Sequence, residues 1–219
     1  MFASRKTDIS LAAIVLCGGR SLRMGEDKAS VMLGSETLLQ RCCRLIYRSA
    51  DPVIVVAAPA QELPELNELT EVVHDDFPGQ GPLGGLLTGL RHLERRGIKD
   101  ECPVWVTSCD APFVNAAVVE TMVSELGDFD VVAVRHGDQI NPHSAVYRLG
   151  VVETVAKAFS QGERRATAIF ENLSLKTIKS SVLREIDPDL SFLWNINTVE
   201  DLDCAKARLR EKPDHLRNS

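Results

Sequence analysis

"LAAIVLCGGRSLRMGEDK", residues 11–28, decides the fold class. Its first third, Leu11 to Leu16, is an unbroken apolar run. A strand covered on both faces reads as continuous apolarity, whereas a half-exposed strand alternates. The remainder, "CGGRSLRMGEDK", carries three glycines, two arginines and a lysine. Glycines let a backbone come close to a ligand and turn its N–H groups inward. Arg23 and Lys28 add positive charge. In an open α/β sheet, ligands bind outside the carboxyl ends of the strands. The stretch therefore predicts a buried strand followed by an anion-binding loop at the sheet edge.

The rest of the chain repeats this grammar. "PVIVVAA" (52–58), "CPVWVTS" (102–108) and "DVVAVR" (130–135) are further buried-strand runs. Helical periodicity fills the gaps. "SETLLQRCCRLIYRSA" starts at Ser35 as N-cap and places Leu38, Leu39, Cys42, Leu45 and Ile46 on one face. "GPLGGLLTGLRHLERRG" carries Leu83, Leu86, Leu87, Leu90 and Leu93 and stops at Gly97. "NAAVVETMVSEL" runs from Asn115 towards Gly127. "NTVEDLDCAKARL" opens near a capping box of Thr198 and Asp201, with Val199, Leu202, Ala205 and Leu209 as its buried stripe. Alternation of strands and helices at these lengths means right-handed crossovers and a mostly parallel sheet. Gly137-Asp138 is a hairpin signal between "VVAVR" and "SAVYRL", so an antiparallel element joins the sheet in the second half. The expected fold is three-layer, Rossmann-like α/β, in one domain spanning 10–211, with loose termini at 1–9 and 212–219.

Composition narrows the function. The 219 residues are 44% hydrophobic and 26% charged, with a net charge of −6. That balance is globular rather than disordered. It lacks the basic excess of a nucleic-acid binder, and any anionic ligand must be held by local cations against the molecule's own field. No apolar stretch approaches the roughly 20 residues needed to cross a bilayer. The apolar run near the start is about seven residues long, preceded by Asp8 and followed by Arg20 and Arg23, which is not a secretory signal. Six cysteines occur without a C-x-x-C pair and read as small buried hydrophobes in a reducing compartment. A soluble cytoplasmic protein is expected, with no nucleic-acid and no membrane partner.

Two familiar phosphate motifs are excluded. A Walker A loop needs G-x-x-x-x-G-K-[ST], but Gly19 and Gly25 are separated by five residues and Ala29 follows Lys28. The dinucleotide fingerprint G-x-G-x-x-G is also missing from "GGRSLRMG". The stretch "LCGGRSLRMGEDK" instead resembles the L-x-G-G-x-x-x-R-M-G-x-x-K signature of the molybdenum cofactor guanylyltransferases. Four more segments resemble that family in order: "VVHDDFPGQGPLGGLLTGL" (72–90), "VTSCDAPFV" (106–114), "NPHSAVYR" (141–148) and "NINTVEDL" (195–202).

The resemblance implies a nucleotidyltransferase fold, GTP and molybdopterin or the molybdenum cofactor as substrates, and Mg²⁺ as cofactor. Transient contact with a molybdoenzyme or a cofactor-delivery protein is implied too. Arg23, Lys28 and Asp110 become the catalytic residues, with Asp110 the metal ligand. Leu16, Cys17, Gly18, Gly19, Lys28, Asp75, Gly84 and Asp110 become the nucleotide contacts. Asn141, His143, Arg164, Asn195 and Asn197 face the second substrate, with Pro142 and Arg165 beside them. A hard carboxylate past the strand "CPVWV" suits Mg²⁺, although an Asp in a turn also bonds its own backbone. Asp75 matches the base-side aspartate, with Asp76 next in register. A carboxylate accepts both the N1–H and the N2 amino group of guanine, a donor pair that cytosine lacks. Asn195 and Asn197 share a face if "WNINT" is a strand; alternatively Asn197 is a helix N-cap.

Two departures stand out: Cys17 and Gly84 occupy positions where the family usually has Ala. The segment "VIVVAAPAQE" also lacks the Asn that some relatives place after the second strand; Ala57 or Ala58 stands there. Rival readings are a cytidylyltransferase of the same fold, a nucleotide-binding regulator without catalysis, and sugar-phosphate transfer. "CGG" and "PLGG" lean towards guanine, since cytidylyl relatives tend to show A-A-G and P-L-S-G.

Overall fold

The computed structural model describes residues 11–18 and 27–211. In chain order its strands are β1 (Ala12–Leu16), β2 (Met32–Leu33), β3 (Glu36–Thr37), β4 (Val53–Ala57), β5 (Thr70–His74), β6 (Pro103–Ser108), β7 (Val131–His136), β8 (Gln139–Arg148) and β9 (Leu175–Lys179). The α-helices are α1 (Leu38–Ile46), α2 (Pro82–Arg95), α3 (Ala116–Ser124), α4 (Val152–Ser160) and α5 (Val199–Glu211).

Seven strands form one sheet in the order β5-β4-β1-β6-β8-β7-β9. The first four are mutually parallel, and β7 and β9 are parallel to each other. β8 runs antiparallel to both β6 and β7. The chain leaves β1 towards β4 on one side and returns with β6 on the other. That reversal opens a crevice at the carboxyl edge, the place where such sheets take ligands. The mostly parallel α/β sheet with a late antiparallel element is the architecture that residues 11–149 predicted.

Burial explains the strand signals. Every residue of β1 and β4 is buried. Alternate residues feed two cores. Ala13, Val15, Val53, Val55 and Trp105 pack on one face with Leu39, Cys42 and Ile46 of α1 and Val118 and Met122 of α3. Ala12, Ile14, Ile54, Val56, Val104 and Val106 pack on the other with the five leucines of α2 and with Val152 and Val155 of α4. The edge strands β5 ("TEVVH") and β9 ("LKTIK") escaped the sequence reading, because a half-exposed edge carries polar residues and shows no apolar run. A third, smaller core of Val31, Leu33, Leu38, Phe113, Ile196, Leu202 and Ala205 fastens the β2–β3 hairpin and α5 to the loop after β6.

Several local expectations are corrected. Ser35 does not cap α1. Residues 32–37 form the β2–β3 hairpin instead, and Thr37 caps the helix in a capping box with Gln40. Val199 is 55% exposed, so the buried stripe of α5 begins at Leu202; the Thr198–Asp201 box is present. "WNINT" is not a strand. Residues 194–197 belong to no strand or helix and are held by the Ile196 amide donating to the Asp110 carbonyl at 2.8 Å. Asn141 and His143 do not lie at the hairpin turn. They lie within β8, where the register jumps from Ala133↔Ala145 to Val134↔Asn141 and loops out Pro142, His143 and Ser144. Proline, lacking an N–H, is tolerated at such an irregularity.

α2 lies so close to β1 that a Cβ at Gly89 would approach Ile14 Cγ2 at 2.8 Å and Cδ1 at 2.9 Å. Gly89→Ala gains up to about 1 kcal/mol of helix propensity but overpacks a closed core. We expect a net loss of about 1–2 kcal/mol, read as a lower urea midpoint at unchanged slope. An unchanged midpoint would show slack between α2 and the sheet.

Candidate active site

A cleft of about 390 Å³ opens at the carboxyl edge. Leu16 and Gly18 line it from the end of β1, Val56 and Ala58 from β4, Asp75 from β5, and Ser108 and Asp110 from β6. Gly81 and Gly85 of the α2 entry, His143 and Asn195 complete the walls. Gly81, at φ +85°, admits no side chain: a Cβ there would meet the Arg164 carbonyl oxygen at 2.9 Å.

Beside the cleft, three distant segments meet at one ammonium group. Lys28 Nζ donates to Asp110 Oδ2 and to Asn197 Oδ1, both at 2.6 Å. Lys28 stands at the start of a short 3₁₀ turn whose cap is Asp27, which accepts from the Ala29 amide at 2.9 Å. Asp110 Oδ1 accepts from the Ser108 hydroxyl. Asn197 is therefore not a helix cap: its side-chain oxygen serves Lys28, while its amide N–H donates to Asp201. The Asp110 loop is braced from below. Arg41 Nε donates to the Pro112 carbonyl at 2.9 Å, and its other end pairs with Glu36 at 2.8 Å.

His143 reaches the cleft because β8 loops out there. The loop is shaped by Asn141, whose Oδ1 accepts from the His143 amide and whose amide group donates to Ser144. The Tyr147 hydroxyl holds the Pro142 carbonyl. Burial pushes the His143 imidazole below its ordinary pKa, with the Asp110 charge opposing, which favours the neutral ring. Its Nε2 is buried and has no hydrogen-bond partner among the described residues.

The structure thus brings Leu16, Gly18, Asp75, Asp110, His143 and Asn195 to one cleft, with Lys28 bridging Asp110 and Asn197 beside it. Other candidates go elsewhere. The Cys17 side chain packs into the core under α1 and α3, its amide donates to Val56 and its carbonyl accepts from Gln61. Gly84 packs against Phe77, where a Cβ would come within 3.0 Å, and its neighbour Gly85 faces the cleft instead. Arg164 lies 4.2 Å over the Phe159 ring and donates to the Phe159 and Glu163 carbonyls, tying the end of α4 to the entry of α2. Arg165 pairs with Glu163 at the surface. Asp76 is exposed. Gly19 and Arg23 lie outside the described residues.

Ser108 and Gln61 contribute without having been read in the sequence. Ser108 sits at the end of β6, two residues from Asp110, a spacing that hints at a shared face. Gln61 accepts from the Ala58 amide and donates to the Cys17 carbonyl and the Asp27 carboxylate, linking the end of β1 to the start of the 3₁₀ turn at Lys28. No local signal marks Gln61.

The donor set suits a hard cation. Asp110 Oδ2 and Asn197 Oδ1 already converge on one positive group, the Lys28 ammonium. Among the described residues no group of three or more His, Cys, Asp or Glu side chains forms a metal cage. The two oxygen donors fit Mg²⁺, which uses one or two protein ligands plus water and phosphate oxygens.

A mostly parallel sheet with a cleft at its switch point, flanked by a lysine and a carboxylate, is an arrangement suited to a nucleotide's phosphates. The MobA-like NTP transferase domain matches residues 13–178. The chain is 30% identical over 203 residues to the molybdenum cofactor guanylyltransferase of Desulfosudis oleivorans, covering 92% of this chain and 96% of that one. The chain belongs to the MobA-like NTP transferase family. The crystal structure of molybdopterin-guanine dinucleotide biosynthesis protein A from Archaeoglobus fulgidus shares the fold, with a TM-score of 0.74 at 24% identity over 92% of this chain and 100% of that one. So does 4-diphosphocytidyl-2C-methyl-D-erythritol synthase from Anaerococcus prevotii, with a TM-score of 0.68 at 15% identity over 92% and 96%.

The Glu36–Arg41 brace gives a pH signature. Burial alone would raise the Glu36 carboxyl, but hydrogen bonds and charge from Arg44 and then Arg41 outweigh it and hold the group below its ordinary 4.5. A depressed folded value stabilises the fold above the ordinary pKa, and that contribution disappears as pH falls through the folded value. Wild type should therefore melt above Glu36→Gln near neutrality, and the gap should close as pH falls below the ordinary carboxylate value of 4.5. A gap independent of pH would show that the brace acts through packing alone.

Proposed function

We propose that this chain transfers GMP from GTP to the terminal phosphate of molybdopterin, or of the cofactor built on it, and releases pyrophosphate. The observation that carries the reading is the meeting of Lys28, Asp110 and Asn197 beside a cleft that Asp75 lines. The Desulfosudis relative, a molybdenum cofactor guanylyltransferase, supports the choice of substrates.

A phosphate oxygen of the second substrate attacks the α-phosphorus of GTP; the bond to the β-phosphate oxygen breaks, and pyrophosphate leaves with that electron pair. Such chemistry rests on positioning and charge neutralisation, without a covalent protein nucleophile. Asp110 and Asn197 would hold Mg²⁺. When bound, it supplies charge neutralisation at the α-phosphate and the leaving group. Ser108 keeps the Asp110 carboxylate oriented. Lys28, a point charge on a flexible stem, serves the phosphate chain, and the backbone N–H of Gly18 approaches it from the end of β1. Asp75 accepts from the donor edge of guanine. His143 and Asn195 meet the second substrate. Arg23 keeps its proposed role at the pyrophosphate on sequence resemblance alone. The reaction belongs to the cytoplasm on this reading, with hand-over of product to a delivery protein or molybdoenzyme. No helix among the described residues is long and apolar enough to cross a membrane.

The test is pyrophosphate release with Mg²⁺, molybdopterin and each nucleoside triphosphate in turn. GTP should support turnover, and Asp110→Ala should lower it by about 10²–10³-fold with an unchanged circular dichroism spectrum. Turnover with CTP alone would move the protein to cytidylyl transfer, binding without turnover would make it a regulator, and full activity in Asp110→Ala would remove the metal assignment.

A further inference from the structure

The Asp75 carboxylate is held asymmetrically. Its Oδ1 accepts from the Phe77 amide at 2.9 Å and from the Thr88 hydroxyl at 3.2 Å. Thr88 is 1% exposed and lies one turn into α2 from Gly84, whose carbonyl shares the same hydroxyl proton at 3.0 Å. The oxygen of that hydroxyl also accepts the Asp76 amide at 3.1 Å. Thr88 therefore joins the helix to the strand end that carries Asp75. A lone threonine mid-helix usually spends its hydroxyl on the preceding turn. Here a buried one bonds three groups, two of them from the Asp75–Asp76 segment.

We infer that Thr88 is a specificity-determining positioning residue: by anchoring one carboxylate oxygen of Asp75, it holds the other towards the cleft as an acceptor for the 2-amino group of the base. This deepens the guanylyl reading and rests on it. A free aspartate rotates about χ2 and adapts to many donors. One pinned at Oδ1 presents a fixed acceptor, and a site built to take a ligand N–H discriminates against the analogue that lacks it. Thr88 touches no ligand in this scheme and acts through Asp75.

The experiment is equilibrium binding of GTP and ITP to the whole protein without the second substrate. ITP keeps N1–H and lacks only the 2-amino group. Wild type should prefer GTP by about tenfold or more, the worth of one hydrogen bond to a charged acceptor. Thr88→Val keeps the shape and deletes the hydroxyl; its GTP affinity should fall about five- to tenfold while ITP affinity changes little, so the preference collapses. Thr88→Ser should restore it. In turnover the loss should appear in KM for GTP with kcat retained. Should the valine variant fail to fold, Thr88→Ala makes the same deletion with the best helix former. A discriminating wild type with variants that discriminate equally overturns the role of Thr88 and leaves the guanine reading standing. A wild type indifferent to the 2-amino group overturns both.

Discussion

The ammonium group of Lys28 is the point on which this site depends. It bonds Asp110, 82 positions away, and Asn197, 169 positions away. Contacts so distant in sequence carry a large loop-closure cost, and a partly buried ion pair gains little net stability once desolvation is counted. The pair therefore does not build the fold. It forms because two cores on either side of the sheet, and a third under the loop after β6, have already brought the segments together. Its value is positional: two hard oxygen donors are held converging on one cation.

The sheet order makes that convergence available. β1 lies between β4 and β6, so the chain after β1 and the chain after β6 leave the sheet side by side. β8, the antiparallel member, inserts next to β6, and its looped-out segment delivers His143 to the same edge. α5 then packs back on the β2–β3 hairpin through Leu202 and Ala205, which sets Ile196 against the Asp110 carbonyl and Asn195 and Asn197 on either side of it. A cleft of modest volume thus draws walls from every quarter of the chain.

Much of this was legible in the residues. Continuous apolar runs marked β1, β4, β6 and β7, because strands buried on both faces have no solvent side to encode. The leucine stripe of α2 and the Gly137-Asp138 turn read directly. β5 and β9 did not, since an edge strand is half-solvated and its polar residues hide the pattern. Ser35 misled because a capping residue is recognised by its neighbours' φ and ψ as much as by its type, and the hairpin displaced the cap to Thr37. Gly84 and Gly85 divide their work: successive residues of a helix face about 100° apart, so adjacent glycines serve different neighbours, here Phe77 and the cleft.

By itself, the order of residues determined the α/β class, the carboxyl-edge position of Gly18 and of Asp110, and, through five ordered motifs, the family. Those properties are local: periodicity, turn chemistry and motif identity survive in one dimension. Only the tertiary structure decided that Asn197 serves Lys28 instead of capping α5, that Arg164 clamps backbone, that Cys17 faces the core, and that Gln61, Ser108 and Thr88 support the site. Each of those outcomes depends on which distant group arrives within about 3 Å of a side chain. A polar side chain names its chemistry in the sequence; its partner is assigned only when the sheet and helices have packed.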